Sequence, residues 1–269
     1  MYARPHPVAR YPVREAIERW LIAHLGITID GTTVPESSGN ITIDGTDVTE
    51  VTVDGTTVWT ADAIPDSVIH HYPADEGSGS TIADSVGSAD VTDFNGTWTS
   101  DGAFKGGTAP FFDRTDDDAT VSATNPSAYT WAVRVRADSL GTESPTDRMV
   151  FSHAFDPVLK YNIDSDVWRF NDGASRAEVA DSQSAVEGSI RYLFSGLNAS
   201  TAELHVYDET KTLVGSDSFP SPNQTYTTST RYIGDDGGGS RRWGGEIDNW
   251  YFADELFDSS DRQQILDQM

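Results

Sequence analysis

The chain has 269 residues, with 37% hydrophobic and 10% aromatic content and seven tryptophans. That is enough for one core-forming β domain of about 200 residues plus a smaller piece, and it excludes a disordered acidic tail. Its 43 Asp and Glu against 18 Lys and Arg give a net charge of −25, which disfavours nucleic-acid partners and suits a surface that molar salt screens, while the absence of cysteine excludes disulfide and thiol chemistry.

Residues 1–26 carry Arg4, Arg10, Arg14, Glu15, Glu18 and Arg19 before or within their only apolar run. This pattern is not that of a signal peptide, so export by the general secretory route is not expected. From Pro12 to Gly26, Val13, Ala16, Ile17, Trp20, Leu21, His24 and Leu25 recur every three or four positions, which predicts a helix with one apolar face. A helix this short is marginal alone in water, so the face packs either on its own chain or on a partner. No apolar stretch approaches the about 20 residues that a membrane-spanning helix needs, and no membrane insertion is expected.

Residues 27–63 hold a repeat: ITIDGTTV at 27–34, ITIDGTDV at 41–48 and VTVDGTTV at 51–58. Alternation around each Asp-Gly predicts three tight β-hairpins, which need neighbours or other subunits to be stable. The unit TEVTVDGTTVWTA resembles linker segments in tail and spike proteins of viruses that infect halophilic archaea.

Residues 64–269 end in RYIGDDGGGSRRWGGEIDNWYFADELFDSSDRQQIL, which reads as strand, Gly-rich loop, strand and a short helix. Ahead of it lie HYPADEGSGSTIADSVGSAD at 71–90, PFFDRTDDDATVS at 110–122 and YTWAVRVRADS at 129–139. The last of these has Trp131, Val133 and Val135 on one face at period two. These motifs and their order resemble laminin G-like, concanavalin A-like lectin domains. The resemblance implies an all-β, two-sheet antiparallel jelly-roll sandwich, preceded here by the short helix and the hairpin repeats. Arg114 stands where the family's Phe-Asp-Gly strand pair has its glycine, which puts that turn in question. In similar domains a structural Ca²⁺ lies near the opening turn and the closing strand, and the corresponding residues are Asp84, Gly87 and Asp248; calcium suits such oxygen ligands. Asp116, Asp117 and Asp118 form a denser acidic run that reads as a solvated loop.

Some relatives of this sandwich are glycoside hydrolases with a Glu-x-Asp-x-x-Glu strand. Glu246-Ile247-Asp248 begins that pattern, but its third carboxylate is missing, and a retaining pair about 5 Å apart cannot be completed. No nucleophile elbow accompanies any of the six histidines. The chain is therefore expected not to be an enzyme. In the Gly-rich loop, Asp235 and Asp236 lead a glycine run that suggests a mobile tip ending in Arg241, Arg242 and Trp243. Donors beside an aromatic plane suit sugar hydroxyls or acidic glycans, and Trp243 reads equally as a stacking platform or as a buried anchor. Trp131 and Trp250 are assigned to the core. Asn40, Asn95, Asn198 and Asn223 head Asn-x-Ser/Thr tripeptides, which permit glycosylation without showing it.

Anchor, spacer and head together suggest a virion surface protein of a haloarchaeal virus, a tail fibre or capsid spike assembled in the host cytoplasm. Its expected state is a homo-oligomer, trimeric for a fibre or pentameric for a spike. The N-terminal region would contact other virion proteins and the sandwich host-surface glycans. The alternative is a cellular or secreted carbohydrate-binding module of a halophilic archaeon.

Overall fold

The computed structural model describes residues 64–100, 108–122, 126–142, 144–153, 157–220, 222 and 230–269, together with six short strands between 28 and 60. The predicted helix at 12–26 lies outside the described residues, as do Asn40 and Asn223. The chain divides into two compact units, residues 1–63 with Gln268 and residues 64–267 with Met269.

In the first unit each Asp-Gly pair is flanked by antiparallel strands: β1 (Thr28–Ile29) with β2 (Thr32–Thr33), β3 (Ile41–Ile43) with β4 (Thr46–Val48), and β5 (Glu50–Val53) with β6 (Thr56–Thr60). Two residues, Asp and Gly, separate the strands of each pair in the sequence, the spacing and composition expected of tight hairpins.

The second unit is a two-sheet antiparallel sandwich. Its strands are β7 (Val68–Tyr72), β8 (Thr97–Thr99), β9 (Ala109–Asp113), β10 (Ala119–Ser122), β11 (Tyr129–Ala137), β12 (Asp147–Ser152), β13 (Val158–Asn162), β14 (Val167–Asn171) and β15 (Arg176–Ala180). They continue, after the single-turn helix α1 (Gln183–Val186), with β16 (Ile190–Leu197), β17 (Thr201–Tyr207), β18 (Leu213–Pro220), β19 (Thr230–Ile233) and β20 (Gly244–Ala253), and helix α2 (Ser259–Gln268) follows. One sheet of six strands runs β10-β19-β12-β13-β14-β15. The other, of eight, runs β18-β17-β16-β11-β20-β9-β8, with β7 also paired to β20. The segment 110–122 is therefore not a hairpin. β9 and β10 belong to different sheets, and the turn between them crosses the sandwich with Arg114 at φ 70°, the left-handed conformation that a glycine would adopt more easily.

Inward residues of both sheets make the main core, including Phe112, Trp131, Val133, Trp168, Phe170, Leu204, Ile247 and Phe252. The eight-stranded sheet is covered on its outer face too. Ala132, Phe194, Tyr251 and Ala253 pack there with Phe257 and with Ile265, Leu266 and Met269 of the C-terminal segment. Central strands such as β11 and β20 are thus buried on both faces, and their outward charges are paired rather than solvated. In β20, Asn249 at φ 48° forms a bulge opposite β11, which returns Trp250 to the inner face that Ile247 already occupies.

Candidate functional site

A narrow cleft with room for little more than a water molecule, part of it open to solvent, lies between the two sheets. His70, Tyr72, Trp131, Trp250 and Phe252 line it from the eight-stranded sheet, and Val121, Phe151, Arg231 and Ile233 from the six-stranded one. Strand alternation places them: Arg231 and Ile233 are both buried on β19, and Trp131 shares its face of β11 with Val133.

The cleft is almost wholly apolar except for a few donors. The Arg231 guanidinium lies 3.7 Å from the centre of the Phe252 ring, a cation–π contact. Its Nε donates to His153 Nε2 at 3.2 Å, and His153 stacks on Trp131 with centroids 5.4 Å apart. Burial pushes Arg231 down to about 10. Tyr72 spends its hydroxyl on the Ala89 carbonyl at 2.8 Å, and burial raises that phenol well above its usual range. His70 Nδ1 lies 2.6 Å from Asp84 Oδ2. The indole Nε1 atoms of Trp131 and Trp250 are buried, and among the described residues neither has a hydrogen-bond acceptor. A buried donor without an acceptor costs about 1–3 kcal/mol. Such a lining sets aromatic rings beside a guanidinium and two unpaired indole N–H groups.

The residues that the sequence singles out as carbohydrate-binding are organised differently. Trp243 is fully buried, 5.9 Å from Trp168 between ring centroids, and donates through Nε1 to the Glu246 carbonyl at 3.2 Å. It is an anchor, and the stacking-platform reading is corrected. The Gly-rich loop is not a free tip either, because Asp235 and Asp236 are buried and gather its amides. Gly238 N donates to Asp236 Oδ1 at 2.8 Å and Gly239 N to Asp235 Oδ1 at 3.2 Å. Arg241 pairs with Asp236 at 3.0 Å, Arg242 lies 3.7 Å from Asp235, and Arg242 also donates to the Thr115 carbonyl. Burial and the adjacent Asp236 raise the Asp235 carboxyl, whereas against its own burial Asp236 is held low by the Asp235 side chain, the loop amides and Arg241. These five residues knit the loop together, and their donors and acceptors are largely spent on one another.

Asp84, Gly87 and Asp248 do not fit a calcium ion. The Asp84 carboxylate accepts from the amides of His71 (3.1 Å), Val86 (3.2 Å), Gly87 (2.9 Å) and Ala89 (3.1 Å) as well as meeting His70. Burial opposes its charge, but the Gly87 amide, His70 and the other amides hold its pKa below the usual carboxylate value. A Cβ on Gly87 would stand 2.5 Å from Asp84 Oδ2, so glycine is required for this close approach. Asp248 is buried beneath the C-terminus and ion-paired with Arg134, whose other arm donates to the Met269 carbonyl at 2.6 Å. Glu246 faces the same side of β20 and is held by Arg136 at 2.6 Å and by the Thr99 hydroxyl at 3.0 Å. Each carboxylate of the Glu-x-Asp pattern thus has its own arginine. Asp113, Asp116 and Asp117 do converge, with ligand atoms within 4.8 Å of one another, but Asp117 Oδ2 already accepts from Asp113 N at 2.8 Å.

The sequence reading missed the cleft because it paired no residue of β7 with β19. The signal was present in Thr230-Arg231-Tyr232-Ile233, where alternation puts an arginine on the same face as a core isoleucine.

No protein-family model matches the chain, and the comparison with curated proteins gives no match. Solved structures do resemble it. The receptor-binding domain of botulinum neurotoxin mosaic serotype C/D aligns with 77% of this chain and 51% of its own at TM-score 0.55 and 13% identity. The botulinum neurotoxin serotype D ligand-binding domain in complex with N-acetylneuraminic acid aligns with 76% of this chain and 51% of its own at TM-score 0.51 and 12% identity. Trypanosoma rangeli sialidase in complex with the inhibitor DANA aligns with 94% of this chain and 38% of its own at TM-score 0.54 and 13% identity. The chain spans about half the length of the toxin domains and less of the sialidase. At these identities the likeness establishes the fold alone, an all-β two-sheet sandwich. It also corrects the expectation that the chain is not an enzyme: sialidases are enzymes, so the fold gives no ground for excluding catalysis.

Proposed function

We propose that the sandwich is a glycan-binding, lectin-like head, displayed on the virion surface of a virus of a halophilic archaeon as a tail fibre or capsid spike. The observation that carries the glycan reading is the aromatic cleft with its few N–H donors, since sugar sites join apolar ring faces to a small number of placed polar groups. One protein of similar fold is bound to N-acetylneuraminic acid, which supports the same chemistry here. The display reading rests on the acidic surface, on the three Asp-Gly hairpins and on their resemblance to viral linker segments. Residues 1–63 then serve as anchor and spacer toward other virion proteins. The protein assembles in the host cytoplasm as a homo-oligomer, and multivalency compensates for weak single sites.

The test is a glycan array probed with the full chain in multimolar KCl, with its mass in that buffer taken by light scattering. Saturable binding to a subset of glycans by an oligomer is the expected result. A blank array overturns the lectin reading, and a monomer overturns the virion display.

A further inference from the structure

We infer that Ser85, His71 and Asn249 form a hydrolytic site for small acyl esters, with Ser85 as nucleophile, His71 as general base and Asn249 as the residue that positions the histidine. None of the three lines the cleft, and the inference stands apart from the glycan-binding reading.

The three side chains meet in one line of hydrogen bonds. Ser85 Oγ lies 2.9 Å from His71 Nδ1, and His71 Nε2 lies 2.8 Å from Asn249 Oδ1. The proton positions follow from what each neighbour can do. Burial raises the Tyr251 phenol, and the Arg134 charge and a hydrogen bond from the Asn249 side chain oppose this, so the Asn249 amide nitrogen is the donor there and its oxygen faces His71. A carbonyl oxygen only accepts. His71 Nε2 therefore carries the proton, and Nδ1 of the neutral ring turns its lone pair to the Ser85 hydroxyl. No other donor meets Nδ1 among the described residues. The second acceptor near Ser85 Oγ, the His71 carbonyl at 3.0 Å, already takes the Ser85 amide at 2.8 Å.

Each part is held in place. The His71 ring stacks on Tyr251, with centroids 4.0 Å apart and planes 5° from parallel. The turn that carries Ser85 is fixed by Asp84, which gathers the amides of His71, Val86, Gly87 and Ala89. Burial holds the His71 pKa below its usual value, which keeps Nδ1 ready to accept at neutral pH, while the Asn249 hydrogen bond and the Asp84 and Asp75 charges favour the imidazolium that forms during reaction. Ser85 itself is exposed, and Val86 beside it in the chain is 46% exposed. An ester thus reaches the hydroxyl from solvent with an apolar side chain one residue away. Ser85 Oγ then bonds to the ester carbonyl carbon as its proton passes to His71 Nδ1. The ester C–O bond breaks and that proton goes to the departing alcohol oxygen, leaving acyl-Ser85. Water repeats the exchange, with His71 taking its proton and returning it to Ser85 Oγ, and the acid is released.

The full chain in molar KCl is given p-nitrophenyl acetate and, separately, a fluorophosphonate probe whose point of attachment is read by peptide mass spectrometry. Phenolate release is expected to fall about a hundredfold or more in Ser85→Ala and in His71→Gln, and the probe to label Ser85. Ser85→Ala changes an exposed side chain and serves if the His71 variant does not fold. Asn249→Gly keeps the left-handed backbone but removes the acceptor, so it should lower kcat about tenfold with KM little changed, and Asn249→Asp, which restores an acceptor, should recover the rate. Phenolate release untouched by Ser85→Ala, or a probe that leaves Ser85 unlabelled, overturns the inference. An Asn249→Gly variant as fast as the native chain overturns the role given to Asn249.

Discussion

Asp248 and Arg134 show how a single buried pair sets a pH response. Burial pushes the Asp248 carboxyl up to about 6, and the Arg134 charge and hydrogen bond only partly oppose this. The folded chain therefore holds this proton more tightly than the unfolded chain does. The stabilisation that the proton brings is fully present below about pH 4 and is lost as the pH rises through about 6. The difference in unfolding free energy between the native chain and Asp248→Asn is expected to grow in favour of the native chain as the pH falls from about 7 to about 4, by on the order of 1–3 kcal/mol. Denaturant melts of both proteins at several pH values measure it, and a pH-independent difference would contradict it. Residues of this kind also mark where the sequence is hard to read. Trp131 and Trp250 are legible as core because both stand in strongly apolar strands. Arg134 and Arg231 are not, because an arginine in a strand reads as outward until something is known to cover that face or to stack on its guanidinium.

At the scale of elements, α2 is the cover that makes the outer face of the eight-stranded sheet a second core. Its start is legible in the sequence: Asp258 caps the helix, accepting from the amides of Ser260 and Asp261, while Asp261 reaches back to the Asp258 amide. Its importance is less legible, because only Ile265 and Leu266 within it are buried. Leu266→Ala should cost about 2–5 kcal/mol, as for other buried leucines, which would be large for a ten-residue terminal helix if it merely decorated the surface. Guanidinium unfolding measures the loss, and a cost below about 1 kcal/mol would show that the helix is not part of the cooperative unit. The Gly-rich loop misleads in the opposite direction. Two acids before a glycine run look solvated, but each carboxylate can accept several amides, so Asp235 and Asp236 order the segment that composition alone marks as loose.

For the whole molecule, a charge of −25 with only three lysines makes self-repulsion a general term opposing compaction. Raising KCl from about 0.1 M to above 1 M shortens the screening length from about 10 Å to about 3 Å or less, so the thermal midpoint should climb steeply over that range. Circular dichroism melts check this, and a flat or falling midpoint would mean that the acidic surface is not an adaptation to salt. The order of the sandwich strands has a separate bearing on how the molecule is made. β20 joins β11 on one side and hands its other side from β9 to β7, so that His71, at the opening of the sandwich, bonds Asn249, 178 positions later. β20 is made after all the strands it joins, and until then β7, β9 and β11 are strands without the neighbour that separates them. A nascent chain of this topology carries uncovered apolar strand faces until its late strand arrives, the circumstance in which partly folded chains are prone to aggregate.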